Sequence, residues 1–255
     1  MNIKELAKYI KDIVDPNKMS DNSHNDIQVE NTGEIAKIAV AVDACIETID
    51  SAAKIGAQAL IVHHGLLWGG QLPIATEENC NYYNRVKALI QNNIALLAYH
   101  LPLDAHPEFG NNIILANKLG LINIKPFGRN FNDNSYIGFK GKFEKAKDIG
   151  EVLDLLDISA LDVKFLPFGT HKIKSIGIVS GGGAYNLQDA INENLDLFVT
   201  GEVKHSTYHQ AKEGNINVLA AGHYFTETFG TKALGEKIQK ETGIECVFID
   251  CPTGF

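Results

Sequence analysis

The chain has 255 residues, and at roughly 100–200 residues per domain that allows one large domain or two small ones. Hydrophobic residues make up 45% and charged residues 21%, which argues against disorder. The longest apolar runs, such as Ile38–Val42 and Ile94–Ala98, are about five residues, whereas a spanning helix needs about 20. A net charge of −8 opposes nonspecific binding to nucleic acid, whose backbone calls for a surplus of Lys and Arg.

The start, MNIKELAKYIKDIV, has helical spacing and lacks the apolar core and small-residue cleavage site of a signal peptide. The expected compartment is the cytoplasm, away from membranes. The four cysteines, Cys45, Cys80, Cys246 and Cys251, form no Cys-x-x-Cys pair and read as reduced thiols. Lys18–Asn31 is polar and reads as a loop, except for Ile27–Val29.

From Ile38 onward, strands and helices alternate. Ile38–Asp43 reads as a strand, Ile46–Ile55 as a helix and Ala59–His64 as a strand. The helix Tyr82–Gln91, the strand Ala95–His100 and a helix over Asn111–Leu119 follow. Lys125–Asn134 reads as a connector, Tyr136–Phe143 as a strand, Ala146–Leu156 as a helix and Ala160–Leu166 as a strand. The earlier order then returns: strand Ile176–Gly181, helix Leu187–Glu193, strand Leu197–Glu202, helix Ser206–Lys212, strand Val218–His223 and helix Lys232–Thr242. The first two strands start 21 residues apart in both halves. The expected fold is α/β: two structurally similar units from an internal duplication, with helices packed on mostly parallel sheets. The expected boundary divides residues 1–128 from 129–255, with room for the two to interweave around a shared metal site.

Open parallel sheets bind ligands beyond the carboxyl ends of their strands. Those ends carry His63-His64, His100 followed by Asp104, Glu202, and His223 followed by Glu227. Consecutive strand residues face opposite sides, so His63 and His64 share a site only if the strand stops there; Gly65 allows the turn. His223 and Glu227 share one face if a helix starts near Gly222. Pro102 makes a tight turn the expected form of the His100–Asp104 segment. His63, His64, Asp104, His223 and Glu227 give three imidazoles and two carboxylates, more than a closed structural zinc site uses. The set suits two divalent ions about 3.5–4 Å apart, bridged by a carboxylate and a water or hydroxide. It fits Zn, Fe, Mn, Co or Ni without choosing among them.

At these residues the sequence resembles the Nif-three-like family, dinuclear-metal, ring-forming proteins often called GTP cyclohydrolase I type 2 homologues. The matching stretches are HNDIQVEN, VAVDACIETIDSAAKIGAQALIVHHGLLWGG, AYHLPLDAHPEFGNN, FVTGEVKHSTYHQA and AAGHYFTETFG. The length is similar to that of the short bacterial form. The resemblance implies metal ligands at His63, His64, Asp104, His223 and Glu227, two similar α/β halves, and a homohexameric toroid of three dimers. One departure is Asp26-Ile27, where the family usually has Gly-Leu; it touches no ligand.

Other groups carry open readings. His100 is a sixth ligand, a hydrogen-bond donor to a metal-bound carboxylate, or a general acid. Glu202 is the base for the attacking water or a charge at a helix N-terminus. His205 and His209 are either a second metal pair or a solvated face, and His106 either lines the pocket or does not. Ser180-Gly181-Gly182-Gly183 is a close-packed turn or, with Lys204, a phosphate contact. Trp68 and Tyr224 pack in the core or stack on a base. The leading functional expectation is a metal-dependent hydrolase using a metal-bridging hydroxide, with GTP cyclohydrolase-like opening of a purine ring as the named reaction. The alternatives are a nucleotide phosphoesterase and a non-enzymatic metal-binding or scaffold toroid.

Overall fold

The computed structural model describes residues 1–70 and 73–255. The chain divides into two compact units: Met1–Leu103 with Thr231–Cys251, and Asp104–Gly230 with Pro252–Phe255.

In unit one, helix α1 (Ile3–Ile13) begins at Asn2, whose side chain accepts from the N–H groups of Lys4 and Glu5 while Glu5 caps in return. It buries Ile3, Leu6, Ala7 and Ile10, the spacing of a single helical face. Strand β1 (Asp26–Val29), β2 (Lys37–Asp43), helix α2 (Ile46–Lys54), β3 (Ala59–His64), α3 (Cys80–Gln91), β4 (Ala95–Ala98) and the single turn α4 (Leu101–Asp104) follow. Strands β2, β3 and β4 are parallel neighbours and are buried almost throughout, as expected of strands covered on both faces. The core on one face joins Ala39, Ala41, Leu60, Val62, Leu96 and Ala98 to Ile49, Ala52 and Leu89 of the helices.

Unit two contains α5 (Asn111–Lys118), β5 (Ile122–Arg129), β6 (Tyr136–Lys147), α6 (Ile149–Leu156), β7 (Lys164–Pro167), β8 (Ile173–Val179), α7 (Leu187–Asn192), β9 (Leu197–Thr200), α8 (His205–Glu213) and β10 (Asn217–Ala220). Helix α9 (His223–Thr242) starts in unit two and ends in unit one, where β11 (Glu245–Phe248) pairs in parallel with β2. Side-chain alternation sorts the second sheet into two cores. Ile176, Ile178, Leu197, Val199 and Leu219 pack with Phe143, Val152 and Leu156 on one face. Val179, Phe198 and Val218 pack with Phe127, Leu187 and Ala211 on the other.

The strand orders are β1-β4-β3-β2-β11 and β5-β6-β8-β9-β10-β7. The run β1-β4-β3-β2 has the same pattern as β7-β10-β9-β8. In each, three parallel strands follow one another, and the strand that precedes them in the chain lies antiparallel to the third. The fold class is α/β with two similar units.

Several boundaries differ from the sequence reading. The units do not meet at residue 128. Residues 104–128 belong to unit two because α5 packs on its core and β5 pairs with β6, and residues 231–251 return to unit one because β11 extends its sheet. Asp104 therefore stands in unit two. The connector expected over 125–134 is strand up to Arg129; β5 is an edge strand, where Pro126 costs no ladder bond and exposed polar residues are normal. The turn expected at His100–Asp104 is one helical turn, with Pro102 in a first turn that needs no N–H there. Strand β11 was not expected, and α9 begins at His223 rather than Lys232.

Phe198 is fully buried and its ring meets Phe127 edge-on, with centroids 6.3 Å apart. Replacing Phe198 by Ala is expected to destabilise the chain by about 3–5 kcal/mol. Guanidinium unfolding in the presence of chelator measures it; a loss near zero would show that this core closes around the gap.

Candidate metal centre

Unit one gathers three imidazoles. Strand β3 stops at His64, so the rings of His63 and His64 come together, with centroids 4.8 Å apart. His100, just beyond β4, lies 4.9 Å from His63 and 5.5 Å from His64, ring to ring. One ring nitrogen from each lies within 4.8 Å of the others, a spacing that could hold a metal ion.

Each of the three rings meets an oxygen acceptor through Nδ1. His63 Nδ1 is 3.0 Å from the Tyr99 carbonyl oxygen, His64 Nδ1 is 2.9 Å from Asp43 Oδ1, and His100 Nδ1 is 2.9 Å from Asp21 Oδ1. A carbonyl and an ionised carboxylate only accept, so Nδ1 carries a proton and Nε2 is the nitrogen that can offer a lone pair. Histidine ligands of metals are commonly oriented in this way. Burial works to raise the Asp21 carboxyl, but the hydrogen bond and charge of His100, with donors Asn25 and Ser23, hold it down at about 2.

The N-terminal loop fixes this cluster. Asp21 Oδ2 also accepts from Leu101 N–H, and Asn25 Oδ1 accepts from His100 N–H. Gln28 Oε1 accepts from Leu66 N–H at 2.6 Å, against the turn after the double histidine. A Cβ on Gly65 would stand 2.4 Å from the Gln28 amide, so a larger residue there would push aside the side chain that bonds Leu66. Trp68 donates from Nε1 to Gly65 O, and its ring lies 5.0 Å from that of His100.

Unit two gathers carboxylates around His223. Asp104 is buried, and its Oδ1 accepts from Asn111 Nδ2 at 2.8 Å and Ser180 Oγ at 2.9 Å. Asn112, also buried, accepts from Ser180 N–H at 2.7 Å. His223 opens α9, with Nε2 3.2 Å from Glu227 Oε2 one turn on and Nδ1 3.3 Å from Glu202 Oε1 beyond β9. The Glu227 side chain is 3% exposed and that of Glu202 46%. Burial opposes the charge on His223, yet Glu227 and then Glu202 raise its pKa to about 9.

The turn Ser180–Gly181 links Asp104 to Glu227. Gly181 has φ +56°, and a Cβ there would fall 1.9 Å from Glu227 Oε1. The Gly181 N–H donates to Thr226 Oγ1 at 3.0 Å, one residue before Glu227. Any side chain at this position would displace the buried carboxylate.

The expected site residues are drawn from both units. His63 and His64 are joined by His100 in unit one, and Asp104, His223, Glu227 and Glu202 lie in unit two. His205 and His209 belong to no group of three metal-capable side chains among the described residues. His106 turns into its own loop, where Nδ1 accepts from the N–H groups of Glu108 and Phe109. Tyr224 is buried, whereas Trp68 keeps 40% of its surface exposed beside His64 and His100. The sequence reading missed Asp21 and Asp43, and it singled out Ser180 only as part of the glycine turn. Asp43 had a signal, since it ends β2 directly opposite His64 in the parallel register.

The donor set, mixed imidazole nitrogen and carboxylate oxygen with no thiolate, suits a divalent transition metal. Among the described residues, no helix is long and apolar enough to cross a membrane.

Comparison with known proteins places these residues in context. A protein of Archaeoglobus fulgidus called "GTP cyclohydrolase 1 type 2 homolog" is 41% identical over 253 residues, 99% of each chain. The solved structure of TTHA1606 from Thermus thermophilus is similar over the full length of both chains, with a TM-score of 0.87 and 36% identity. The structure of protein ybgI, described as of unknown function, gives a TM-score of 0.88 at 33% identity, again over the full length of both. The family model Duf34/NIF3 (NGG1p interacting factor 3) matches residues 1–253, and the chain belongs to that family.

Proposed function

We propose that this chain is a metal-dependent hydrolase that holds two divalent cations through His63, His64, Asp104, His223 and Glu227. Its named reaction is GTP cyclohydrolase-like opening of a purine ring. The observation that carries this reading is the set of imidazoles locked by oxygen acceptors at Nδ1. A buried histidine with a purely structural role has no need of that uniform tautomer, whereas a ligand must present a lone pair on a fixed nitrogen. The name shared by curated relatives supports the choice of reaction.

Two cations, when bound, would lower the pKa of water and polarise the electrophile. The protein's own groups divide the remaining tasks. Asp43 and Asp21 hold the rings of His64 and His100, and Ser180 and Asn111 set the plane of the Asp104 carboxylate. Glu202 holds His223 at Nδ1 and stays half exposed, so it can take a proton from the reacting water and pass it to solvent. His100, held by Asp21 at Nδ1, would return a proton to the leaving group from Nε2 when that nitrogen is protonated. The family resemblance adds a homohexameric ring of three dimers to this reading, which light scattering in solution would show as six chain masses.

Asp104→Asn is expected to lose bound metal and turnover together, measured by elemental analysis and by formate release from GTP. Turnover that survives complete loss of metal would sink the reading. Phosphate release without formate would replace ring opening by phosphoester hydrolysis at the same residues.

The raised pKa of His223 gives a second outcome. In the metal-free chain His223 is an imidazolium between two carboxylates at neutral pH. Its contribution to stability is fully present below the ordinary value of 6.5 and is lost as pH rises through about 9. A metal ligand must give up that proton, so binding should release one proton from His223 below pH 9, and the release should end above it. Calorimetry in buffers of different ionisation enthalpy near neutral pH measures it. A proton count unchanged by His223→Asn would remove His223 from the ligand set.

A further inference from the structure

Unit two places one cation beside its cluster that the ligand set does not use. Lys204 follows Glu202 by two residues at the head of α8, and its N–H donates to Thr207 Oγ1 at 3.0 Å, which fixes the main chain there. Its ammonium lies 3.6 Å from the centroid of the Tyr185 ring and bonds the Tyr185 hydroxyl. Tyr185 is 63% exposed and stands in the tight helical turn Gly183–Asn186 that follows the glycine run. The same run borders the candidate proton carrier. A Cβ on Gly182 would lie 3.5 Å from Glu202 Oε1 and 3.9 Å from His223 Cε1. Tyr185 follows Gly182 by three residues and Lys204 follows Glu202 by two, so the pair ties together the two segments that meet at Glu202.

The charge balance makes this pair informative. The two carboxylates held by His223, Glu202 and Glu227, are acidic, and the chain as a whole carries −8. An anionic substrate approaching Glu202 meets repulsion unless a cation offsets it. Among the described residues no carboxylate pairs with Lys204; its partner is a neutral phenol. Lys204 can therefore change partners without leaving an opposite charge unpaired. A lysine ammonium is a compact point charge on a flexible stem, suited to the several oxygens of a phosphate chain.

We infer that Lys204 binds the phosphate chain of the nucleotide substrate and that Tyr185 is its resting partner. The inference rests on the nucleotide hydrolase reading above and names the group by which that substrate is held. Tyr185 is a positioning residue, since it acts through Lys204.

The test is calorimetric titration of metal-loaded protein with inorganic tripolyphosphate and, separately, with guanosine, alongside elemental analysis. Lys204→Gln is expected to weaken tripolyphosphate binding about tenfold or more, the usual size for loss of one charged hydrogen bond. Lys204→Arg is expected to recover most of it, and metal content and guanosine binding should not change. Equal tripolyphosphate affinity in the wild type and Lys204→Gln would overturn the inference, as would absence of such binding in wild type with full metal content; either leaves the metal centre standing. If the wild type takes up no metal, the hydrolase reading fails on its own. Tripolyphosphate titration of that same metal-free protein still decides the role of Lys204.

Discussion

The site depends on a hydrogen bond between an imidazole Nδ1 and an oxygen acceptor, made three times in unit one. A neutral imidazole has one proton to place, and whichever nitrogen takes it cannot bind a cation. Acceptors at Nδ1 of His63, His64 and His100 settle that choice in advance. They also fix each ring's rotation, which two flexible torsions would otherwise leave open. The fold serves this end directly. Parallel strands β2 and β3 run in register, so Asp43 ends beside His64. The Tyr99 carbonyl that receives His63 comes from the residue just past β4, the next strand over.

Unit two solves a different problem, how to bring buried carboxylates together. Asp104 is 4% exposed and Glu227 3%, and a carboxylate buried to that degree calls for donors or a cation beside it. Asp104 receives a hydroxyl and an amide, and Glu227 receives the raised imidazolium of His223. Both arrangements hang on the same turn, because Ser180 donates to Asp104 and Gly181 leaves the volume that Glu227 occupies. The GNN run of the sequence has its physical reason here. Gly110 is the N-cap residue of α5, and the two buried asparagines after it hold Asp104 and Ser180.

The sequence made the candidate ligands more legible than the groups that orient them. His63-His64 stood out because a double histidine at a strand end, with Gly65 to turn the chain, accompanied imidazole–carboxylate pairs at other strand ends. His223 and Glu227 were readable because four residues make one helical turn, and α9 does begin at His223. Asp21 gave no such signal, since it reaches His100 across 79 residues from an irregular polar loop. Periodicity reports which side of an element is buried but says nothing about which distant segment closes over it. The same limit explains the displaced boundary. The duplication was visible in the order of strands and helices, yet β11 pairs with β2 across the length of the chain, and no local pattern carries that information.

The duplication also explains why the halves are alike in plan and unlike in chemistry. In unit one the carboxylate of Asp43 at the end of β2 holds the imidazole of His64 at the end of the adjacent β3. In unit two the carboxylate of Glu202, just past β9, holds the imidazole of His223, just past the adjacent β10. The carboxylate–imidazole pair is the same device on neighbouring parallel strands, shifted by one strand between the copies. A strict copy would place a histidine where Glu202 stands, because β9 is the counterpart of β3. The shift instead leaves a half-exposed carboxylate at that strand end, with Lys204 two residues beyond. A duplicated unit supplies strand ends in a fixed geometry, and small changes of residue type at those ends decide what chemistry each can offer.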